Sequence, residues 1–155
     1  MVVVSPRFAA VLIWVCVQHE NACPFRRVAA ATRLCRSRPC AAEVLYAVKC
    51  NPEPAVLRAL ARGGVAAFDC ASPAEVALVR SMFPQAHIAY MHPVKAPSAT
   101  REAMQRHGVR DFVLDHAREL DKLVTLAAES GIARDALGLI VRIALPKGSA
   151  VYDLS

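Results

Sequence analysis

Charged and polar side chains stand at the carboxyl ends of four predicted strands, at Lys49, Asp69, His92 and Asp115. A further charged residue, Arg142, lies inside a predicted strand. Ligand sites of parallel α/β sheets form where the strands end, so these residues are candidates for one site. An amine, a carboxylate and a guanidinium around a small space are suited to holding a flat, charged ligand.

Small residues accompany the two predicted cations. Strand alternation places Lys49 on one face with Ala47, and Arg142 on one face with Ala144. If both faces look into the same space, the alanines leave room for a ligand beside the charges.

A regular alternation of strands and helices begins near residue 41. Strands are predicted at 43–49, 65–70, 87–92, 109–115 and 137–145, with a helix in each interval. This order indicates parallel strands joined by right-handed helical crossovers. Five strands and four helices fit either a doubly wound sheet or part of a (β/α)₈ barrel. No G-x-G-x-x-G pattern follows the first strand, which argues against a nucleotide-binding sheet.

Helix starts are marked by capping residues. Ser72 is predicted as N-cap, Pro73 as the first helical residue and Glu75 as the third, which makes a capping box. Ser98 is predicted to start the next helix, and Asp115 to cap the last one.

The net charge of +6 is concentrated in one segment. Residues 1–40 carry six arginines and one acidic residue, whereas the other 115 residues carry thirteen basic and twelve acidic side chains. A nucleic-acid surface would spread its basic residues over the folded domain, so no nucleic-acid partner is expected. We predict an irregular basic leader at 1–40 and a regular domain at 41–155.

The cysteines and the apolar residues argue against metal and membrane sites. None of the six cysteines forms a C-x-x-C pair and no histidine follows at a zinc-like spacing, so no metal is expected. Free thiols in a reduced, cytoplasmic compartment are the better interpretation. The longest apolar run, 8–17, is too short to cross a bilayer. A strand or buried segment is favoured there over the core of a signal peptide.

Each candidate also has a purely structural explanation. Lys49 could extend to solvent from the strand end. Asp69 could simply begin a turn, and the capping box alone explains Glu75. His92 precedes a proline and fits an ordinary loop. Arg142 is the hardest to explain this way, because a charge inside an apolar strand needs a partner.

Five segments, in order, resemble one protein family: YAVKCNPEPAVLRAL, FDCASPAEV, IAYMHPVKAPSATREAMQRHGV, FVLDHARELDKL and VRIALPKGSAVYDLS. Together they resemble the fold-type III pyridoxal-phosphate decarboxylases, in the ornithine decarboxylase branch, over about residues 43–155. The Y-A-V-K-x-N signature is shared with diaminopimelate decarboxylases. F-D-C-A-S-x-x-E is more specific and favours the ornithine or ornithine/lysine branch.

The resemblance implies a role for each candidate residue. Lys49 would be the catalytic lysine that binds pyridoxal 5′-phosphate, because a primary amine condenses with the aldehyde and is then displaced by the substrate amine. Asp69 and Glu75 match family carboxylates that orient the lysine and modulate its charge. Arg142 matches an arginine beside the cofactor that could balance these carboxylates.

The family pattern extends beyond the last residue of this sequence. The family's ring-stacking histidine, glycine-rich phosphate loop, ring-nitrogen glutamate and carboxyl-terminal β domain have no counterpart here. The resemblance therefore predicts a partial (β/α)₈ barrel that is inactive alone. The complete enzyme would be a homodimer that converts ornithine to putrescine or lysine to cadaverine. The leader departs from the family pattern and resembles a wrong start or a shifted reading frame.

Three alternatives stay open. The chain could be a non-catalytic regulatory or binding relative that pairs with full-length subunits, although the retained Lys49 argues against this. It could be another fold-type III enzyme, such as a diaminopimelate decarboxylase, although F-D-C-A-S argues against this. It could also be a pseudogene product without function. The sequence does not choose between ornithine and lysine.

Overall fold

The computed structural model describes residues 3–4 and 44–142. Six strands in these ranges form one sheet: β1 Val3–Val4, β2 Leu45–Ala47, β3 Ala67–Cys70, β4 His87–Tyr90, β5 Asp111–Leu114 and β6 Gly138–Arg142. Four α-helices lie between them: α1 Pro54–Arg62, α2 Pro73–Met82, α3 Pro97–Gln105 and α4 Ala117–Glu129. The apolar run 8–17, most of the predicted leader and Ala144 lie outside the described residues.

Strands β2 to β6 are parallel neighbours in chain order. A helix connects each strand to the next, so the predicted α/β class is confirmed, and the order is that of a partial (β/α)₈ barrel. Strand β1 adds to the far side of β6 in the antiparallel direction, with Val3 opposite Arg142. The strand predictions did not include β1.

The two faces of the parallel sheet carry different apolar clusters, as the period-two alternation of strands requires. The larger cluster packs the sheet against the helices, and its largest fully buried members are Phe68, Phe112, Leu57, Met104 and Leu123. The opposite face contributes one smaller set from the five parallel strands: Leu45, Ala67, Ala89, Val113 and Ile140. The sheet therefore contributes buried side chains to two packing layers.

Helix α2 begins as the sequence predicts. The Oγ of Ser72 accepts a hydrogen bond from the backbone N–H of Glu75 at 3.3 Å, and Pro73 is the first helical residue. The carboxylate of Glu75 accepts from the backbone N–H of Ala71 at 2.8 Å, one residue before the N-cap that a capping box normally reaches. Capping therefore explains the position of Glu75, but its carboxylate binds the N–H of Ala71 instead of the N–H of Ser72.

Two other predicted helix starts are wrong in detail. The N-cap of α4 is His116, whose Nδ1 accepts from the backbone N–H of Arg118 at 3.1 Å, and not Asp115. A neutral imidazole nitrogen can accept a hydrogen bond just as a carboxylate oxygen does. Helix α3 begins at Pro97, ahead of Ser98, because proline suits the first helical position, where no N–H is needed.

The strand that leads to Lys49 is shorter than predicted. Strand β2 ends at Ala47, and Val48–Cys50 form a 3₁₀ turn closed by a hydrogen bond from Asn51 N–H to the Val48 carbonyl at 3.1 Å. Asn51 precedes Pro52 and is extended, as residues before proline usually are, so the turn is completed ahead of it. The prediction that Lys49 continues the strand alternation is therefore wrong.

Both cysteines in the described ranges are free thiols, as predicted, with Cys50 half-buried and Cys70 buried. The described helices include none with the length and apolar character needed to cross a bilayer. Within the same residues, no group of three or more metal-ligating side chains comes together.

Candidate functional site

A cleft of about 300 Å³ opens at the carboxyl ends of the parallel strands. Its wall is built from strand ends and the loops that follow them, and includes Lys49, Asp69, Ala71, His92, Val113 and Arg142. This is the position at which parallel α/β sheets bind ligands. The volume lies at the lower end of the range for small-molecule pockets.

Three of the four residues predicted to form the site line this cleft: Lys49, Asp69 and Arg142. The fourth, Glu75, reaches the cleft through its hydrogen bond to the backbone of Ala71. Asp115, the remaining charged strand-end residue, is exposed and is not among the residues lining the cleft. The topology therefore assembles the predicted set although its members are far apart in sequence.

Lys49 is exposed in the 3₁₀ turn that follows β2. The turn follows Ala47, which lies opposite Asp69 in the parallel β2–β3 ladder. A lysine placed just beyond a strand end can present its amine to the cleft while its backbone is held by the sheet. Lys49 is exposed and lines the cleft, so a ligand in the cleft would lie beside its side chain.

Asp69 is a buried carboxyl, with only 3% of the residue exposed. Burial raises the pKa of Asp69 from its ordinary 3.8 to about 6, the charge of Lys49 opposes this increase, and the charge of Glu75 adds to it. A carboxyl with a pKa near 6 is mostly ionised at neutral pH. The site therefore keeps a buried negative charge that favours a cation beside it.

Cys70 follows Asp69 in β3 but faces the helix layer. Burial raises the pKa of the Cys70 thiol strongly, and the negative charges of Glu75 and Asp69 raise it further. Because the thiolate is the nucleophilic form, Cys70 is unsuited to nucleophilic chemistry.

Arg142 is exposed at the end of the described part of β6 and lines the cleft. The expectation that a charge inside an apolar strand needs a partner stays a prediction for this residue. The guanidinium lies where the strand reaches the mouth of the cleft, and solvent reaches it there.

The β4–α3 loop contains one of the strand-end candidates, His92, and one residue that the sequence did not single out, Lys95. His92 lines the cleft, and its Nδ1 accepts a hydrogen bond from the backbone N–H of Val94 at 3.2 Å. Its position at the end of the strand predicted at 87–92 indicates this, whereas the ordinary-loop interpretation does not. The side chain of Lys95, in the same loop, is buried, and no local pattern in the sequence indicates that burial.

The sequence profile described as "Pyridoxal-dependent decarboxylase, pyridoxal binding domain" matches residues 25–154. Ornithine decarboxylase from Saccharomyces cerevisiae is 39% identical over 111 residues, which are 71% of this chain and 22% of that protein. Antizyme inhibitor 2 from Homo sapiens is 39% identical over 80 residues, which are 51% of this chain and 17% of that protein.

The structure is similar to a crystal structure of lysine/ornithine decarboxylase from Vibrio vulnificus complexed with cadaverine. The TM-score is 0.62 at 32% sequence identity, and the match covers 80% of this chain and 31% of that chain. The present chain thus spans less than a third of the length of each of these three proteins.

Proposed function

Because this chain belongs to the family of pyridoxal-dependent decarboxylases, we propose that Lys49 anchors pyridoxal 5′-phosphate in the cleft at the strand ends. The observation that carries the proposal is the convergence of Lys49, Asp69 and Arg142 on this one cleft. The family match agrees with the resemblance of the motifs around these residues.

The residues of the cleft fit this cofactor chemically. Lys49 offers an exposed primary amine, the group that condenses with an aldehyde. The cationic side chains of Lys49 and Arg142 favour an anionic ligand such as a phosphate ester. The cleft volume of about 300 Å³ is in the range of small-ligand sites.

Each charged residue then has a distinct task. Lys49 would hold the cofactor covalently through its amine. Asp69, ionised above a pKa of about 6, would orient the lysine and favour a proton on its nitrogen. Glu75 would hold Ala71 in the wall and add negative charge behind Asp69. Arg142 would balance the two carboxylates. When bound, pyridoxal phosphate supplies an electron-withdrawing ring that accepts the electrons released when carbon dioxide leaves an amino acid.

We further propose that the complete protein decarboxylates a small basic amino acid, ornithine or lysine. The relatives named ornithine decarboxylase and the Vibrio vulnificus structures with cadaverine and putrescine support this substrate class. The predictions that these 155 residues alone release no carbon dioxide, that the complete protein is a homodimer and that it is cytoplasmic stay predictions. Measuring carbon dioxide release from ornithine and from lysine by the cofactor-loaded chain tests the first of them.

A second candidate function is regulatory, by pairing with a full-length decarboxylase. This candidate is supported by the similarity to a human protein named antizyme inhibitor 2. A chain that acted only through pairing would not need an amine at position 49. The cofactor experiment therefore separates the two candidates.

The test is covalent trapping of the cofactor. The purified chain is mixed with pyridoxal phosphate, reduced with borohydride, digested and mapped by mass spectrometry. We expect the label on the peptide that contains Lys49. Lys95 serves as an internal control, because its side chain is fully buried.

The matched control variant is Lys49→Arg, which keeps the positive charge but removes the primary amine. We expect no absorbance band of bound cofactor and no label at position 49 in this variant. A band of equal strength in Lys49→Arg, or a label spread evenly over the lysines of the native chain, would contradict the proposal.

A further inference from the structure

Lys95 is a buried lysine outside the residues already assigned to the site. It lies in the loop between β4 and α3, with 3% of the residue and none of its side chain exposed. An isolated buried ammonium is strongly unfavourable, so a buried lysine is kept only where acceptors surround it. Burial lowers the pKa of Lys95, and the carboxylate of Glu119 opposes that shift.

The ammonium of Lys95 lies among three oxygen atoms, two of which accept hydrogen bonds from it. It donates to the Val113 carbonyl at 2.6 Å and to the His92 carbonyl at 3.0 Å. The Oε1 of Glu119 lies 2.8 Å from the same nitrogen. Two hydrogen bonds and one ion pair therefore compensate for the burial of this charge.

These three oxygen atoms come from three separate elements. His92 belongs to the loop after β4, Val113 to the end of β5, and Glu119 to the first turn of α4. His92 and Val113 both line the cleft that Lys49 also lines. One buried charge therefore joins two parts of the cleft wall to a helix behind them.

The backbone of Lys95 is held by the same helix. The ammonium of Lys122 in α4 donates to the backbone carbonyl of Lys95 and to Oε2 of Glu119. Glu119 thus receives one lysine on each oxygen, and helix α4 holds both the side chain and the main chain of Lys95.

We propose that Lys95 is a positioning residue that fixes the His92–Val113 wall of the cleft, so that cofactor held at Lys49 is bound tightly. The inference rests on the proposed function, because it assigns Lys95 a role in cofactor binding at that cleft. The side chain of Lys95 has no exposed surface and does not need to touch the cofactor.

The principal variant is the double substitution Lys95→Met with Glu119→Gln, which removes both charges of the buried pair and leaves Lys122 with the Lys95 carbonyl and a neutral amide oxygen as acceptors. We expect the dissociation constant for pyridoxal phosphate, measured by absorbance titration, to rise by about tenfold, since misplacing one wall of a binding site has effects of this order or larger. An unchanged dissociation constant in the folded double variant would overturn the proposal.

The matched control is Arg80→Met. Arg80 also binds three backbone carbonyls, those of His107, Pro84 and Ala86, but Arg80 and these residues do not line the cleft. We expect a similar loss of stability in this variant with less than about a twofold change in cofactor affinity. Equal affinity losses in both variants would mean that Lys95 acts only through general stability.

An independent measurement needs no cofactor. Amide hydrogen exchange at residues 92–96 is expected to accelerate in the double variant, and exchange in Arg80→Met is expected to accelerate near residues 84–86 and 107 instead. A native chain that binds no cofactor would overturn the proposed function. Unchanged exchange at residues 92–96 in the double variant would overturn the positioning role of Lys95.

If the double variant does not fold, Lys122→Met carries the test. This variant retains the three oxygen partners of the Lys95 ammonium, and it loses the contacts of Lys122 with the Lys95 carbonyl and with Oε2 of Glu119. We expect faster exchange at 92–96 and an affinity loss of about two- to threefold, since one of four contacts is removed. No change in either measurement would contradict the proposal.

Discussion

The carboxylate of Glu75 accepts a hydrogen bond from the backbone N–H of Ala71 at 2.8 Å, so a helix-capping residue also holds one wall of the cleft. The same carboxylate raises the pKa of the buried Asp69. Glu75 therefore combines a structural task and an electrostatic task, and the two can be separated by mutation.

Glu75→Gln should keep the hydrogen bond to Ala71, because the amide oxygen is also an acceptor, while it removes the charge. We expect the pKa of Asp69 to fall below about 6, since one of the causes that raise it is lost. A carboxyl titration of Asp69 followed by NMR checks this. Identical titration midpoints in the two proteins would rule out the electrostatic role.

Ser72→Ala tests the second hydrogen bond of the helix cap, between the Ser72 side chain and the backbone of Glu75. It removes the acceptor for the backbone N–H of Glu75, and loss of such an N-cap typically lowers the free energy of unfolding by about 1 kcal/mol. Urea unfolding measures the loss. We expect Asp69 to titrate as in the native chain, because no charge is changed.

Asp69→Asn should make the chain more stable near pH 8. The raised pKa of Asp69 means that the folded chain holds its proton more tightly than the unfolded chain does. Ionised Asp69 therefore lowers the free energy of unfolding of the native chain. This loss is absent below about pH 4, grows as the pH rises to about 6, and is complete above that. A shift of about two units corresponds to at most roughly 3 kcal/mol.

The measurement is urea unfolding of both proteins at about pH 3.5 and pH 8. We expect the free energy of unfolding of Asp69→Asn to exceed that of the native chain only at the higher pH. We also expect this variant to bind pyridoxal phosphate more weakly. The same stability difference at both pH values would show that Asp69 is not a destabilising charge in the fold.

Gly138→Ala should destabilise the β5–β6 pair. Gly138 lies opposite Asp111, and an added Cβ would stand only 1.8 Å from Oδ1 of that side chain. Asp111 would have to move, although its other oxygen lies 2.8 Å from Nε2 of His87. We expect a loss of about 2 kcal/mol in the free energy of unfolding. The double variant Gly138→Ala with Asp111→Ala should lose less than the sum of the two single variants.

The order of strands and helices and the start of α2 were predictable from the sequence. Alternating apolar residues and the Ser72–Glu75 spacing are local patterns, and local patterns determine local structure. The motifs around Lys49 and Asp69 also indicated the family before any contact was known.

Tertiary structure decided which charges are buried and what they touch. The sequence could not indicate that Lys95 is buried while Arg142 is exposed, because burial depends on elements packed from elsewhere in the chain. Lys95 reaches Val113 and Glu119 only because β4 and β5 are neighbours in the sheet and α4 packs against β5. The sequence by itself thus determined the chemistry available at the strand ends. The packing of distant elements decided how that chemistry is arranged, because desolvation and hydrogen bonding act between residues that are close in space.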